Sequence, residues 1–334
     1  NQLNNWINFI PNMARVLTGI QSSGKPHLGN ILGAIEPSIK LSNKKENESL
    51  FFIADLHSLI NIKDSKIRHK NTLSIAAAWI AMGFDYENNY FYRQSKITEV
   101  CELTWYLNCF TPYPMLVNSH SFKDKSNNLS SVNNGLFTYP VLMASDILLY
   151  DADIVPVGKD QKQHLEITRD IAKSFNHQFG DTLIVPDCKI DENVMTIPGT
   201  DGKKMSKTYN NTIDVFLEEK DLKKQIISII TDSKGLKESK NAEQCNVYKI
   251  YNLIAKKIQS DEMKNKYLSG GYGYGHAKNE LLELILDKYK NQRKMYFDLI
   301  KNEDYLNNVL KLGEKKAKVI ANNVLSRVKK KLGY

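Results

Sequence analysis

The chain has 334 residues, 42% of them hydrophobic, which is enough to bury a substantial core and suggests about two domains. Its formal net charge of +9 suits a polyanionic partner such as nucleic acid and equally a solvated basic surface. No apolar run approaches the roughly 20 residues of a membrane span, and Cys101, Cys109, Cys188 and Cys245 form no C-x-x-C pair and complete no zinc pattern with the histidines; they read as reduced, mostly buried thiols of a cytoplasmic protein.

The first segment, "NQLNNWINFIPN", lacks the basic and apolar regions of a signal peptide. It reads as an extension, residues 1–12, ahead of Met13, which could be an original start. "RVLTGI" follows as a buried strand. The corner "GKPHLGNILGA" (Gly24 to Ala34) then leads into a helix from Asn30 to Leu41. Glycine at such a corner lets backbone approach a ligand, and a helix start offers unpaired N–H groups and a positive dipole end. A phosphate fits there; so does an ordinary strand–turn–helix corner with a surface histidine.

Strand and helix patterns keep alternating. "SLFFIAD" reads as a strand, "SKIRHKNTLSIAAAWIAMGF" as a helix with a core segment, and "NYFYRQS" with "EVCELTWYLNCF" repeats the pair. "DADIVPVG" is a strand leading into "KDQKQHLEITRDIAKSF", where Leu165, Thr168, Ile171, Ala172 and Phe175 share a face. "DTLIVP" (residues 181–186) reads as one more strand. This alternation predicts a parallel sheet with helices on both sides and ligands at the carboxyl ends of the strands. Both "PHLGN" and "PVGKDQ" lie at such ends.

"DGKKMSKTYNN" (Asp201 to Asn211) is a polar, lysine-rich surface loop. Lys203, Lys204 and Lys207 are either solvated or a cationic clamp on a polyphosphate. After about residue 212 the strand patterns stop. Val247, Tyr251, Ile254 and Ile258 repeat at helical spacing, as do Leu281, Leu284, Ile285 and Tyr289. "GGYGYGH" (Gly270 to His276) has no strand before it and reads as a turn between helices. The final helix, "EKKAKVIANNVLSRVKKKLG", is amphipathic and basic. Residues 13–212 are thus expected to form an α/β unit and residues 213–334 a helical one.

"HLGN" and "KMSKT", at opposite ends of the α/β unit, resemble the two signatures of class I aminoacyl-tRNA synthetases, usually written HIGH and KMSKS. "TGIQSSGKPHLGN", "LFTYPVLMASDILLYDADIVPVGKDQKQHLEITRD" and "KKMSKT" closely resemble tryptophanyl-tRNA synthetases of the bacterial type, and so do "TDSKG" and "AKVIANNVLSRVKKKLG". The likeness runs from about Arg15 to the end. It implies a Rossmann-like doubly wound parallel sheet followed by a helical domain that binds the tRNA anticodon, with the last helix either contacting RNA or folding back on the α/β unit. It also implies a cytoplasmic homodimer.

The resemblance implies a two-step reaction: ATP-dependent activation of L-tryptophan to its adenylate, with Mg2+ on the ATP phosphates, then transfer to tRNA(Trp). Phosphoryl chemistry of this kind needs positioning and charge stabilisation more than a covalent nucleophile, and no metal-ligating residues are expected. His27, Gly29 and Asn30 match the first signature, although bacterial relatives often carry Thr or Ser at the position of His27. Gln21, Ser22 and Ser23 match a segment beside ATP, and Gly158, Lys159 and Asp160 a segment holding the nucleotide. Val194 matches a position that packs on adenine. Lys204, Met205, Ser206, Lys207 and Thr208 match the second signature, Thr208 keeping the hydroxyl of the usual Ser. Lys125 resembles a further loop lysine near the phosphates, or is an exposed lysine in a polar loop. The resemblance makes Lys204, Lys207, Lys125 and Gln21 the catalytic set.

Asp146 would accept the indole N–H, a donor and nothing else. Tyr139, Gln161, Met143 and Gly19 would complete the tryptophan site. Ser121 stands where the family often has Gln. A tyrosyl ligase of the same fold and a catalytically silent RNA-binding paralogue are the alternatives; the intact "HLGN", "KMSKT", Asp146 and Gln161 argue against the second.

Overall fold

The computed structural model describes residues 13–119, 122, 132–158, 161–190 and 196–334, without the side chains of 188–190. Five parallel strands form one sheet in the order β3-β2-β1-β4-β5: β1 (Ala14–Gln21), β2 (Asn47–Ala54), β3 (Tyr90–Arg93), β4 (Ile154–Val157) and β5 (Asp187–Ile190). Side chains alternate across β2. Phe51 and Ile53 pack on one face with Trp79, and Leu50 and Phe52 on the other with Leu107 and Leu148. Helix Ser65–Ala81 covers the first face with a run buried from Thr72 to Ala81. Helices Glu99–Cys109, Asn134–Leu148 and Lys162–Phe179 cover the second. β1 is the switch point: the chain moves outward to β2 and β3 on one side, then returns to β4 and β5 on the other. Crevices open at the carboxyl ends of strands at such a point.

Two expectations need correction. Residues 181–186, read as a strand, are irregular, and the fifth strand is Asp187–Ile190. Pro186 ends the irregular stretch, and the Asp187 N–H donates to the Asp153 carbonyl at 2.7 Å, which starts the ladder there. The thiols are not mostly buried, since of the three described side chains Cys101 and Cys109 are exposed and only Cys245 is buried. A smaller correction concerns Ile258. The helix Asn246–Ile254 stops at Ala255, a new helix runs Lys257–Ser269, and Ile258 is 73% exposed.

The helices that follow share the core of the first half: Ile213, Phe216, Val247, Leu281 and Tyr296 cluster with Leu28, Phe51 and Trp79. The Gly270–Gly273 stretch is the turn between helices Lys257–Ser269 and Tyr274–Lys288. The last helix, Glu303–Leu332, folds back along the open edge of β3. Gly313 lets it approach so closely that any Cβ would collide with the Phe91 backbone. Covering an edge strand in this way removes a template for unwanted pairing. Arg93 Nε donates to Glu314 at 2.5 Å and Nη1 to Asn307 at 2.8 Å; Lys329 reaches Glu102 at 2.8 Å. Some of the chain's basic side chains are therefore held in intramolecular ion pairs.

Candidate active site

The corner after β1 is built around a reciprocal cap. His27 ends its extended segment and precedes the helical run of Leu28–Asn30, the π-helical Ile31–Ile35 and Glu36–Ser42. Its Nδ1 accepts the Asn30 N–H at 3.2 Å, and Asn30 Oδ1 accepts the His27 N–H at 3.2 Å. Both bonds satisfy N–H groups that a helix start leaves open. Burial lowers the His27 pKa to about 4, and the Lys207 charge adds to the effect. The imidazole is therefore neutral near pH 7. With Nδ1 an acceptor, its proton sits on Nε2, ready to donate. A side chain at Gly29 would meet His27 Nδ1 at 2.9 Å, and Gly24 adopts φ +133°, a backbone shape that favours glycine.

The lysine loop docks on this corner. Met205 Sδ accepts the Gly29 N–H at 3.3 Å. Asn211, buried at the loop's base, braces it from inside: Nδ2 donates to Asp201 at 2.7 Å and to the Lys204 carbonyl at 3.1 Å, while Oδ1 accepts the Ser206 N–H at 2.7 Å. Lys204 is exposed at the cleft. Lys207 is half-buried with its Nζ close to Gly24. Burial lowers its pKa to about 8, and Asp214 works weakly in the other direction.

Tyr139, Met143 and Asp146 lie on one face of helix Asn134–Leu148 and look into the cleft. Asp146 is 2% exposed. Its Oδ2 pairs with His57 Nε2 at 2.9 Å, and Gln94 Nε2 stands 2.8 Å from both carboxylate oxygens. Burial raises the Asp146 pKa, and the bonds from His57 and Gln94 pull it back towards the charged form. Tyr139 Oη bonds His164 Nε2 at 2.9 Å. Gln161 caps helix Lys162–Phe179, its N–H donating to the Gly158 carbonyl at 2.9 Å. Gly19 faces Phe52 across the β1–β2 ladder, where any Cβ would run into the Phe52 ring.

One cleft of about 1250 Å³ gathers most of the expected residues. Gly19, Gln21, His27, Gly29 and Asn30 line it from the first corner, and Tyr139, Met143, Asp146, Gly158 and Gln161 from the second half of the sheet. Lys204, Met205, Ser206 and Thr208 close its rim. Ser22 is not among them: its side chain is fully buried, and its hydroxyl bonds Ser58 at 2.9 Å beneath the turn. Ser23 is exposed outside the lining, its N–H turned back to the Gln21 carbonyl at 2.9 Å. Lys125, Lys159, Asp160, Val194 and Ser121 lie outside the described residues. His57, Gln94 and Asn211 escaped the sequence reading. The first two follow β2 and β3 directly, and their place at the carboxyl ends of strands was the available signal.

The family model for class I tRNA synthetases (W and Y) matches residues 12–290. The chain belongs to that family of synthetases. It is 44% identical over 319 residues to a tryptophan–tRNA ligase of Campylobacter jejuni (96% of this chain, 99% of the relative). It is 46% identical over 322 residues to one of Fusobacterium nucleatum (96% and 98%). A crystal structure of the Campylobacter jejuni tryptophanyl-tRNA synthetase complexed with ADP and tryptophan superimposes with a TM-score of 0.91 at 43% identity, covering 96% of this chain and 100% of that one. The relatives thus match the synthetase over its α/β and helical halves alike.

Proposed function

We propose that the chain is a tryptophan–tRNA ligase. The observation that carries this reading is Asp146, a buried carboxylate in the same cleft as both synthetase signatures. An indole N–H meets it as a donor, and an analogue without that donor leaves it unpaired. Met143 and Gly19 pack on the indole, while Tyr139 and Gln161 hold the amino and carboxylate groups. The tryptophan carboxylate oxygen attacks the α-phosphorus of ATP, and the bond to pyrophosphate breaks. The terminal adenosine hydroxyl of tRNA(Trp) then attacks the activated carbonyl, and AMP leaves.

His27 Nε2–H, the Asn30 amide and Gln21 bind phosphate and ribose. Gly29 gives them room, and Gly158 with Lys159 and Asp160 holds the nucleotide. Val194 packs on adenine. Lys204 and Lys207, with Lys125 from its own loop, stabilise the charge that moves onto the leaving pyrophosphate. Mg2+ enters on the ATP phosphates. Helices after residue 213 take the anticodon end of the tRNA. The ligase is read as a homodimer. Among the described residues no helix is long and apolar enough to cross a membrane; the ligase is read as cytoplasmic.

Charging tests the reading. With ATP and Mg2+, the purified protein should attach labelled tryptophan to a tRNA(Trp) transcript and leave a tRNA(Tyr) transcript uncharged. Tyrosine attached to tRNA(Tyr) would replace it with the tyrosyl alternative.

A further inference from the structure

The Asp146 carboxylate is held from behind by neutral and titratable donors that sequence spacing does not reveal. Gln94, 1% exposed, places its Nε2 at 2.8 Å from each carboxylate oxygen, and its own Oε1 accepts the Leu56 N–H at 3.0 Å. A flipped amide would turn its oxygen towards the carboxylate and its NH2 towards the Leu56 N–H, so the bonding pattern fixes one orientation. Leu56 and His57 belong to the one-turn helix Asp55–Ser58 after β2, and Asp55 in turn accepts the Ser95 N–H at 2.8 Å. Gln94 thereby ties the end of β3 and the turn after β2 to the helix that carries Asp146.

We propose that Gln94 is a specificity-determining positioning residue, which spends its donor on Asp146 and so leaves the pocket floor an acceptor matched to a single N–H. This rests on the reading of the cleft as a tryptophan site. A carboxylate offers about four lone-pair directions. Gln94 and His57 occupy three of them, and the open one is on Oδ1. An indole fills it and asks for nothing more. A phenol also brings an oxygen that seeks a donor, and the donors at the floor are committed. A phenyl ring leaves Oδ1 unpaired. Burial raises the Asp146 pKa, and the same clamp opposes that rise by favouring the charged form. Protonated, it would gain a donor of its own and lose its preference for N–H. The titratable groups whose charges bear on it are Asp55, His57, Tyr92, Cys101 and Tyr150. Gln94 is the one clamp member that carries no charge at any pH.

Gln94→Met keeps the shape and removes both the donor to Asp146 and the acceptor of the Leu56 N–H. Pyrophosphate exchange with tryptophan, tyrosine and phenylalanine, run on the whole protein from about pH 5 to 9, reads out the effect. The KM for tryptophan should rise about tenfold or more. The kcat at saturating tryptophan should stay within about threefold. Preference for tryptophan over tyrosine should fall, and the acid limb of kcat/KM should move to higher pH because Asp146 protonates more readily. Looser packing alone would leave that limb in place. Gln94→Asn keeps the amide but is too short to span from Leu56 to Asp146; it should change in the same direction and carries the test if the Met variant does not fold. If the wild-type protein exchanges with tryptophan and both variants keep its KM, preference and acid limb, the role of Gln94 is overturned and the tryptophan reading stands. If the wild-type protein does not exchange with tryptophan, that reading falls and this inference with it.

Discussion

The sulfur of Met205 accepts the backbone N–H of Gly29 at 3.3 Å, across 176 positions of sequence. This contact seats the lysine loop directly on the histidine corner, so the groups expected to face a triphosphate arrive from both ends of the α/β half. Lys204 is exposed at the rim while Lys207 turns inward towards Gly24.

Lys207→Ala should lower the kcat of tryptophan-dependent pyrophosphate exchange by about a hundredfold or more, in line with loss of a preorganised charge at a developing anion. The KM for tryptophan should hold, because Lys207 packs against Gly24 and is not among the residues that line the cleft with Asp146. The wild-type protein should also lose kcat/KM for ATP as pH rises through about 8, where the Lys207 ammonium gives up its proton in the free enzyme. Lys207→Arg should move that limb upward. An unchanged kcat in the Ala variant removes Lys207 from the chemistry.

Asp146→Asn should weaken tryptophan binding by about 1.5–3 kcal/mol, the worth of a hydrogen bond to a charged group. Gln94 and His57 face the same side chain, so the new NH2 would point at groups that already donate. The ratio of kcat/KM for tryptophan over phenylalanine is the measurement. A ratio equal to that of the wild-type protein makes Asp146 a structural residue only.

The parts of this site written in local patterns were legible. His27, Gly29 and Asn30 sit at a strand-to-helix corner that the local pattern marks, whereas Tyr139, Met143 and Asp146 were picked out by resemblance and the structure sets them on one face of a helix. The parallel sheet with helices on both sides followed from alternating strand and helix patterns, and its doubly wound order from the resemblance. What stayed hidden is long-range. Gln94 and His57 stand 52 and 89 residues from Asp146, and only the pairing of β2 with β3 brings them beside it. Ser22 is on the expected segment but on its buried side, which a residue after a strand does not announce. Asn211 looked like loop polarity and proved to be the loop's internal brace. Residues 181–186 carry the composition of a strand, yet their β pairing begins only at Asp187.

Glu314→Leu should cost about 3 kcal/mol or more of folding stability, because it leaves the Arg93 guanidinium buried with only Asn307. Glu303→Ala should cost at most about 1 kcal/mol, since its pair with His69 is exposed to solvent. Urea unfolding midpoints at constant m-value compare them. Equal losses would mean that the last helix is not fastened to β3 through Arg93.

Lys329 is paired with Glu102, whereas Lys330 and Lys331 are exposed at the end of the same helix. If these two touch the tRNA backbone, replacing both with Ala should raise the KM for tRNA and flatten its dependence on salt, as fewer counterions are released. Pyrophosphate exchange needs no tRNA and should be unaltered. Normal charging at every salt concentration places the RNA footprint elsewhere on the basic surface.

The central claim is that this cleft activates tryptophan and that the buried Asp146 selects it. ATP–pyrophosphate exchange driven in turn by tryptophan, tyrosine and phenylalanine, each at equal concentration and without tRNA, tests it most directly. The account predicts rapid exchange with tryptophan and a rate near background with the other two, since neither offers a lone N–H to an acceptor-only floor. Exchange driven by tyrosine as well as by tryptophan, or by none of the three, would contradict it.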